Sequence, residues 1–212
     1  MAWVSPQIRL PYPLRLLFPG ALFRVPTREK EVFLTFDDGP IPEVTPWVLD
    51  FLKHEGLKAC FFCVGENVQR YPGLFQRLHA EGHLTGNHSF NHLQGLKTDD
   101  KLYFDNIEKA SAYIPGKLFR PPHGLLRPRQ FKKLKSRYRF VMWDIISRDF
   151  DQMLSPEQVA ANVLKNVRAG SVIIFHDSLK AEKNMKAALP VVIRELRQRG
   201  YQFGNPAKLL AN

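Results

Sequence analysis

Apolar and polar positions along this chain switch between two periods. Val32-Phe33-Leu34-Thr35-Phe36 is an almost unbroken apolar run, the pattern of a buried strand, and it stops at Asp37-Asp38-Gly39-Pro40. The period then changes: Val44, Trp47, Val48, Phe51 and Leu52 fall at helical spacing, and Gly56 stops that helix. The exchange recurs. Residues 58–64 read as a second strand, residues 71–81 as a helix with Leu74 and Leu78 inward, and residues 83–87 as a short third strand. After the loop Ser89-Phe90-Asn91, a long helix begins near Thr98 and carries Leu102, Ile107 and Ala110. Leu118-Phe119-Arg120 is a strand ended by Pro121-Pro122, residues 127–136 a basic helix, and residues 140–143 a further strand. Ser155-Pro156-Glu157-Gln158 opens a helix with Ser as N-cap, Pro at the first helical position and Gln closing a capping box. Val159, Val163 and Val167 line its face, and Gly170 ends it. Residues 171–175 form a buried strand. Leu189, Val192, Ile193 and Leu196 then define the last helix, where Pro190 forces a kink or an early position. Gly200 stops it, and residues 201–203 close the chain as a strand.

About seven strands alternating with about six helices predict an α/β fold of parallel strands joined by helical crossovers, either a barrel or an open doubly wound sheet. Both place ligands at the carboxyl ends of the strands. No Gly-x-Gly-x-x-Gly or Walker loop follows the first strand, so nucleotide binding is unsupported. Residues 1–28 read as an irregular, Pro-rich arm, and residues 29–212 as one domain. The arm's apolar pieces are interrupted by Arg15, Pro19 and Arg24, which fits neither a secretory signal nor a membrane span, so the cytoplasm is the expected location.

The formal charge of +11 favours anionic partners such as an acidic membrane surface, nucleic acid or an acidic glycan. The densest basic stretch, residues 127–139, has no signature of a nucleic-acid module. The two cysteines, Cys60 and Cys63, lie three apart on a predicted strand. They should point to opposite faces as inert core thiols.

The candidate chemistry gathers at strand ends. Asp37-Asp38 is either an ordinary turn or a pair of carboxylates whose repulsion a cation relieves. His88 and His92, four apart at the end of the third strand, supply imidazoles. One carboxylate with two imidazoles is a set that leaves open positions on a metal, as hydrolytic sites do; zinc suits it, and cobalt, manganese, nickel or iron could be held. His176 ends another strand and is a candidate proton donor. Arg120 and Asp149 occupy similar positions, where Arg could keep a carboxylate ionised and Asp could orient a histidine, although spacing alone pairs neither.

Five ordered blocks carry a resemblance: Thr35-Phe36-Asp37-Asp38-Gly39-Pro40, His88-Ser89-Phe90-Asn91-His92, Arg120-Pro121-Pro122-His123-Gly124, Ser147-Arg148-Asp149-Phe150 and Ile174-Phe175-His176. Together they resemble the polysaccharide deacetylase family, the NodB-homology domain of carbohydrate esterase family 4. The resemblance implies an irregular, TIM-barrel-like (β/α) barrel of about seven parallel strands and one divalent metal ion. It implies Asp37 as general base, Asp38, His88 and His92 as metal ligands, and His176 as general acid. Arg120 would orient Asp37, Asp149 would tune His176, and the backbone N–H of His123 would help hold the oxyanion, with Pro122, Phe150 and Ile174 lining the pocket. The implied substrate is a glycan bearing N-acetyl groups, chitin-like or peptidoglycan-like, the charge favouring an anionic one, with no nucleic acid and no obligate protein partner.

The chain departs from the family pattern at His123, where Tyr is usual, at Phe150, where Trp is usual, at Ile146, where Asp is frequent, and at Ile174, where Leu is usual. The ligand and acid/base positions survive, so these changes bear on the substrate. Two other readings stand beside the first: a deacetylase or deformylase of another small sugar conjugate or amide, and a non-catalytic, metal-containing glycan-binding protein.

Overall fold

A computed structural model describes residues 8–211. The strands are β1 (Glu31–Asp37), β2 (Cys60–Cys63), β3 (Leu84–Asn87), β4 (Leu118–Phe119), β5 (Arg139–Phe140), β6 (Ile145–Ile146), β7 (Val172–His176) and β8 (Gln202–Phe203). The helices are α1 (Tyr12–Arg15), α2 (Thr45–His54), α3 (Gly65–Arg70), α4 (Pro72–Ala80), α5 (Asp100–Ser111), α6 (Pro128–Leu134), α7 (Pro156–Leu164) and α8 (Glu182–Gln198). The sheet runs β5-β4-β3-β2-β1-β7-β6, all pairs parallel, while β8 takes the place of β2 beside the N-terminal end of β1. Seven parallel strands thus form a curled half-barrel with helices outside.

Alternation along the strands sorts side chains into two layers. Phe33, Cys60, Phe62, Leu118 and Val172 fill the inside, with Leu209. Leu34, Phe36, Phe61, Cys63, Ile173 and Phe175 point outward and pack with Val48 and Leu52 of α2, Val159 and Val163 of α7 and Leu189, Val192 and Ile193 of α8. The two cysteines therefore fall in different layers, and burial pushes both thiols up, so they stay protonated.

Several elements differ from the sequence reading. The helix predicted from residue 71 is preceded by another, α3, and Pro72 explains the break: it steers Tyr71 out of helical conformation (φ −127°, ψ 58°) and then starts α4. Within α4 it is Phe75 and Leu78 that are buried, Leu74 only partly. In α5, capped by the Asp99 carboxylate, the buried face is Tyr103, Ile107 and Ala110, while Leu102 faces solvent. The α7 capping box forms, Ser155 Oγ accepting from Gln158 N at 3.3 Å and Gln158 Oε1 from Ser155 N at 2.8 Å. Helix α8 starts earlier than read and runs through Pro190. The strand read at residues 140–143 is only β5 plus Val141, which bridges Leu22 of the arm; the chain then crosses to the far edge of the sheet and forms β6, too short to show a period.

The arm holds this crossing in place. Leu22 N donates to Phe140 O and Met142 N to Leu22 O, both at 2.8 Å, and Ile146 N donates to Ile8 O at 3.0 Å. Beneath lies Asp144, fully buried and surrounded by cations. Arg168 reaches its two oxygens at 2.6 and 3.0 Å, Ser171 Oγ donates at 2.8 Å, and Arg9 and Arg15 approach at 3.2 and 3.4 Å. Burial raises the Asp144 carboxyl, but Arg168, Arg9 and Ser171 outweigh it and leave it below the usual range.

Asp144→Asn strands these cations around a neutral amide. It should destabilise the protein by about 3 kcal/mol, lowering Tm by about 6–12 °C at pH 7. A depressed carboxylate contributes stability above its unfolded pKa and loses it as pH falls, so the gap between wild type and variant should close below about pH 4. Equal melting curves at pH 7 would contradict this role.

Candidate active site

Parallel strands deliver their C-terminal residues to one rim. Asp37 ends β1 and pairs in register with His176, the last residue of β7. His88 follows β3, Arg120 follows β4, and Asp149 follows β6 by a short turn. Among the described residues, the non-glycine residues with left-handed φ are Asp38 (87°), Ser89 (65°), His92 (61°), His123 (59°) and Arg148 (63°). All five lie in loops leaving these strand ends, so backbone strain is concentrated where side chains must be aimed.

Each turn is braced from below. Asp177, fully buried, accepts from Gly39 N at 3.1 Å and Thr45 Oγ1 at 2.7 Å, fixing the loop after the Asp pair. A Cβ on Gly39 would sit 1.9 Å from Asp177 Oδ2, so only glycine fits there. Burial pushes the Asp177 carboxyl up to about 8. The His88–His92 loop is tied to α5: Asn106 Oδ1 accepts from Phe90 N at 2.9 Å, and its amide donates to Asn91 Oδ1 at 2.7 Å.

Asp38, His88 and His92 converge so that their ligand atoms lie within 4.8 Å of one another. Asp38 Oδ1 is 3.2 Å from His92 Nε2 and 3.8 Å from His88 Nε2. A cation ~2.1 Å from each donor would space donors ~3–3.5 Å apart, so the set fits a divalent ion. His88 Nδ1 lies 2.7 Å from the Arg120 carbonyl, which can only accept, so Nδ1 carries the proton and Nε2 is left as a ligand. Burial pushes the His88 imidazole down to about 4, keeping it neutral at pH 7, the form a metal needs. Burial also pushes Asp38 up, but the His92 hydrogen bond and the nearby imidazoles outweigh it and hold the carboxyl well below the usual range.

Two further pairs complete the site. Arg120, buried within the barrel, donates to Asp37 Oδ1 at 2.6 Å. Its other bonds go to Thr35 Oγ1 (2.8 Å) and to the Val141 (2.9 Å) and Met142 (2.8 Å) carbonyls, and Phe62 lies 4.0 Å beneath the guanidinium. His176 Nδ1 meets Asp149 Oδ1 at 2.7 Å, while its backbone N donates to Asp149 Oδ2 at 2.7 Å. Burial pulls the His176 imidazole down, but Asp149, then Asp38 and Asp37, raise it to about 9, so it is protonated at neutral pH. The bidentate grip leaves Nε2 as its free nitrogen.

Asp37, Asp38, His88, His92, Arg120 and His176 all border one cavity of about 400 Å³. Phe150, Ile146 and Ile174 form an apolar wall, with Phe150 edge-on to the His176 ring at 5.0 Å. His123 stands at the rim, its ring 4.6 Å from that of His92; burial and then His92 lower its pKa. Asp149 lies behind His176 and does not touch the cavity. One pocket residue needs correcting: Pro121 lines the cavity, whereas Pro122 is buried at the start of a 3₁₀ turn, Pro122–Gly124. Sequence reasoning also missed Trp143 and Lys180, which border the same cavity. Trp143 occupies the space a side chain at Gly124 would need, a Cβ there meeting its ring at 2.1 Å. An aromatic residue closing a predicted strand was the available signal for Trp143; Lys180 carried none.

A family model described as polysaccharide deacetylase matches residues 24–141. A peptidoglycan-N-acetylglucosamine deacetylase of Bacillus cereus is 35% identical over 196 residues, covering 89% of this chain and 92% of that protein. A chitooligosaccharide deacetylase of Azorhizobium caulinodans is 29% identical over 201 residues, covering 86% of this chain and 95% of that one. The crystal structure of the Bc1960 peptidoglycan N-acetylglucosamine deacetylase, bound to a naphthyl N-hydroxybenzamide, is similar with a TM-score of 0.83 at 32% identity, covering 92% and 94% of the two chains. With its five blocks at the rim of a curled half-barrel and these matches, the chain belongs to the polysaccharide deacetylase family, carbohydrate esterase family 4.

Proposed function

We propose that this protein is a metal-dependent hydrolase that removes N-acetyl groups from amino sugars of a peptidoglycan-like or chitin-like glycan. The observation that carries the reading is one cavity bordered by an Arg-anchored carboxylate, a cluster of metal-binding geometry and an imidazole held protonated by a buried Asp. Zinc suits one carboxylate with two imidazoles, and cobalt, manganese, nickel or iron accept the same donors.

Held by Asp38, His88 and His92, a divalent cation would polarise the acetyl carbonyl and acidify a water. Asp37, fixed by Arg120, accepts a proton from the attacking water. Negative charge gathers on the carbonyl oxygen as the tetrahedral carbon forms, and the backbone N–H of His123 is the chain's donor to it. His176 delivers the proton from Nε2 to the sugar nitrogen, without which the amine is too poor a leaving group. The acetyl methyl rests against Ile146, Ile174 and Phe150.

Acetate release from chitooligosaccharides or peptidoglycan fragments should be abolished by a chelator and restored by added metal. Asp37→Ala should lower kcat by about 10²–10⁴ with an unchanged circular dichroism spectrum. Metal-independent turnover, or full activity in Asp37→Ala, would sink the mechanism. Formyl and acetyl conjugates of small amides belong in the same panel, since preferred release from these would move the substrate away from glycans.

The pH profile gives a second test. Because the acid form of His176 is required, kcat should fall as pH rises through the raised pKa of about 9. Asp149 is the main group raising it, so in Asp149→Asn the alkaline limb should move to lower pH. An unmoved limb would remove His176 from the role of acid.

A further inference from the structure

The cavity of the site opens at the C-terminal ends of the strands; a different surface occupies their N-terminal ends. There the arm makes the single turn α1, stiffened by Leu14 N and Arg15 N donating to Pro11 O at 3.0 and 3.2 Å. Two of its residues anchor it. Arg15 donates to Leu10 O at 2.8 Å and approaches Asp144 at 3.4 Å, and Phe18 packs edge-on against Phe131 at 5.3 Å. With those turned inward, Tyr12, Leu14, Leu16 and Leu17 are left 73%, 46%, 63% and 50% exposed. Isolated exposed leucines need no explanation, but four large apolar side chains within six residues form a patch of the kind that marks an interaction site.

The chain runs from this turn into the wall of a second cavity. Pro19 and Gly20 border a space of about 480 Å³ together with Lys117, Lys135, Arg137 and Arg139, and no carboxylate lines it. Arg137 pairs with Glu108, and Arg139 Nε donates to Leu209 O at 2.7 Å. Lys117 and Lys135 make no ion pair among the described residues; Lys135 only stands 5.9 Å over the Phe131 ring. Lys117 immediately precedes β4 and Arg139 begins β5, which places this cavity at the end of the barrel remote from the Asp38 cluster.

An apolar turn beside a basic pocket presents two chemistries at once. The surface of an anionic bilayer satisfies both, its acyl boundary accepting leucines and its phosphates accepting ammonium groups. A soluble acidic polymer would use the cations and leave the leucines in water. A second copy of the chain would bring another surface of formal charge +11 against this one. We propose that this face docks the protein peripherally on an anionic lipid bilayer, with Tyr12, Leu14, Leu16 and Leu17 entering the headgroup boundary and Lys117 and Lys135 meeting lipid phosphate. Docked in this way, the catalytic cavity at the opposite end of the parallel strands faces away from the lipid, open to polymer in solution.

Co-sedimentation of the full chain with lipid vesicles tests the assignment, comparing neutral phosphatidylcholine with vesicles that are about one-third phosphatidylglycerol. Binding to the anionic vesicles should be at least about tenfold tighter than to neutral ones and should weaken in about 0.5 M salt. The triple variant Leu14→Ser/Leu16→Ser/Leu17→Ser and the double variant Lys117→Glu/Lys135→Glu should each lose about tenfold or more while melting near the wild-type temperature. Absence of wild-type binding, equal binding to both lipids, or binding untouched in either folded variant would overturn the proposal. So would a concentration-dependent dimer that the leucine variant abolishes, which would assign the turn to a second copy. Retention on a soluble acidic glycan that only the lysine variant loses would likewise reassign the pocket to polymer.

Discussion

Arg120 carries a full positive charge inside the barrel, and much of the site is built on how that charge is satisfied. Its guanidinium spends its donors on Asp37, on Thr35 and on the carbonyls of Val141 and Met142, joining β1 to the segment that follows β5. Its own carbonyl accepts from His88, setting the tautomer of a candidate metal ligand. One residue thus places the carboxylate read as base and one of the imidazoles. A lysine could not replace it, because an ammonium cannot reach four acceptors in a planar fork. An apolar residue would leave Asp37 buried without a counter-charge, at several kcal/mol.

The other half of the site is held by a second buried carboxylate. Asp149 takes both the backbone N–H and the ring Nδ1 of His176, so it fixes the direction of the imidazole and its charge together. In the proposed mechanism the two carboxylates beside the Arg and His have opposite tasks. The proposed base Asp37 is buried yet borders the cavity, where it can take a proton, whereas Asp149 lies fully buried behind His176 and outside the cavity, where it stays with its partner. Asp177 and Asp144 extend the same pattern away from the chemistry, one bracing the loop of the Asp pair and the other locking the arm against the seam of the sheet.

Legibility in the sequence followed the length of each signal. β1, β2, β7 and the α7 capping box showed because their apolar runs and cap residues act locally, within a few positions. β6 did not, because two residues carry no period and its strand character comes from neighbours far along the chain, and β5 was read only at its last residue, Phe140, within a strand drawn on to residue 143. The α5 face was misjudged by one position, since Leu102 is as apolar as Tyr103 and only the angle of packing chooses between them. At the site, motif blocks gave the residues that meet the cavity, but not how Arg120 divides its bonds or that Asp149 grips His176 twice. Trp143 escaped because its place depends on a turn, around His123 and Gly124, whose left-handed backbone no local pattern announces, and Lys180 because it stands in the loop after β7, where a lone lysine carries no signal.

The account stands on the candidate cation site that Asp38, His88 and His92 make at the mouth of the half-barrel. Calorimetric titration of zinc into metal-free wild type, Asp38→Ala and His88→Ala measures it without reference to any substrate. Wild type should take up one equivalent of zinc, with heat released in a single transition, and each variant should lose that binding while keeping its fold. No uptake by wild type, or the same stoichiometry and affinity in all three proteins, would contradict the site on which the mechanism rests.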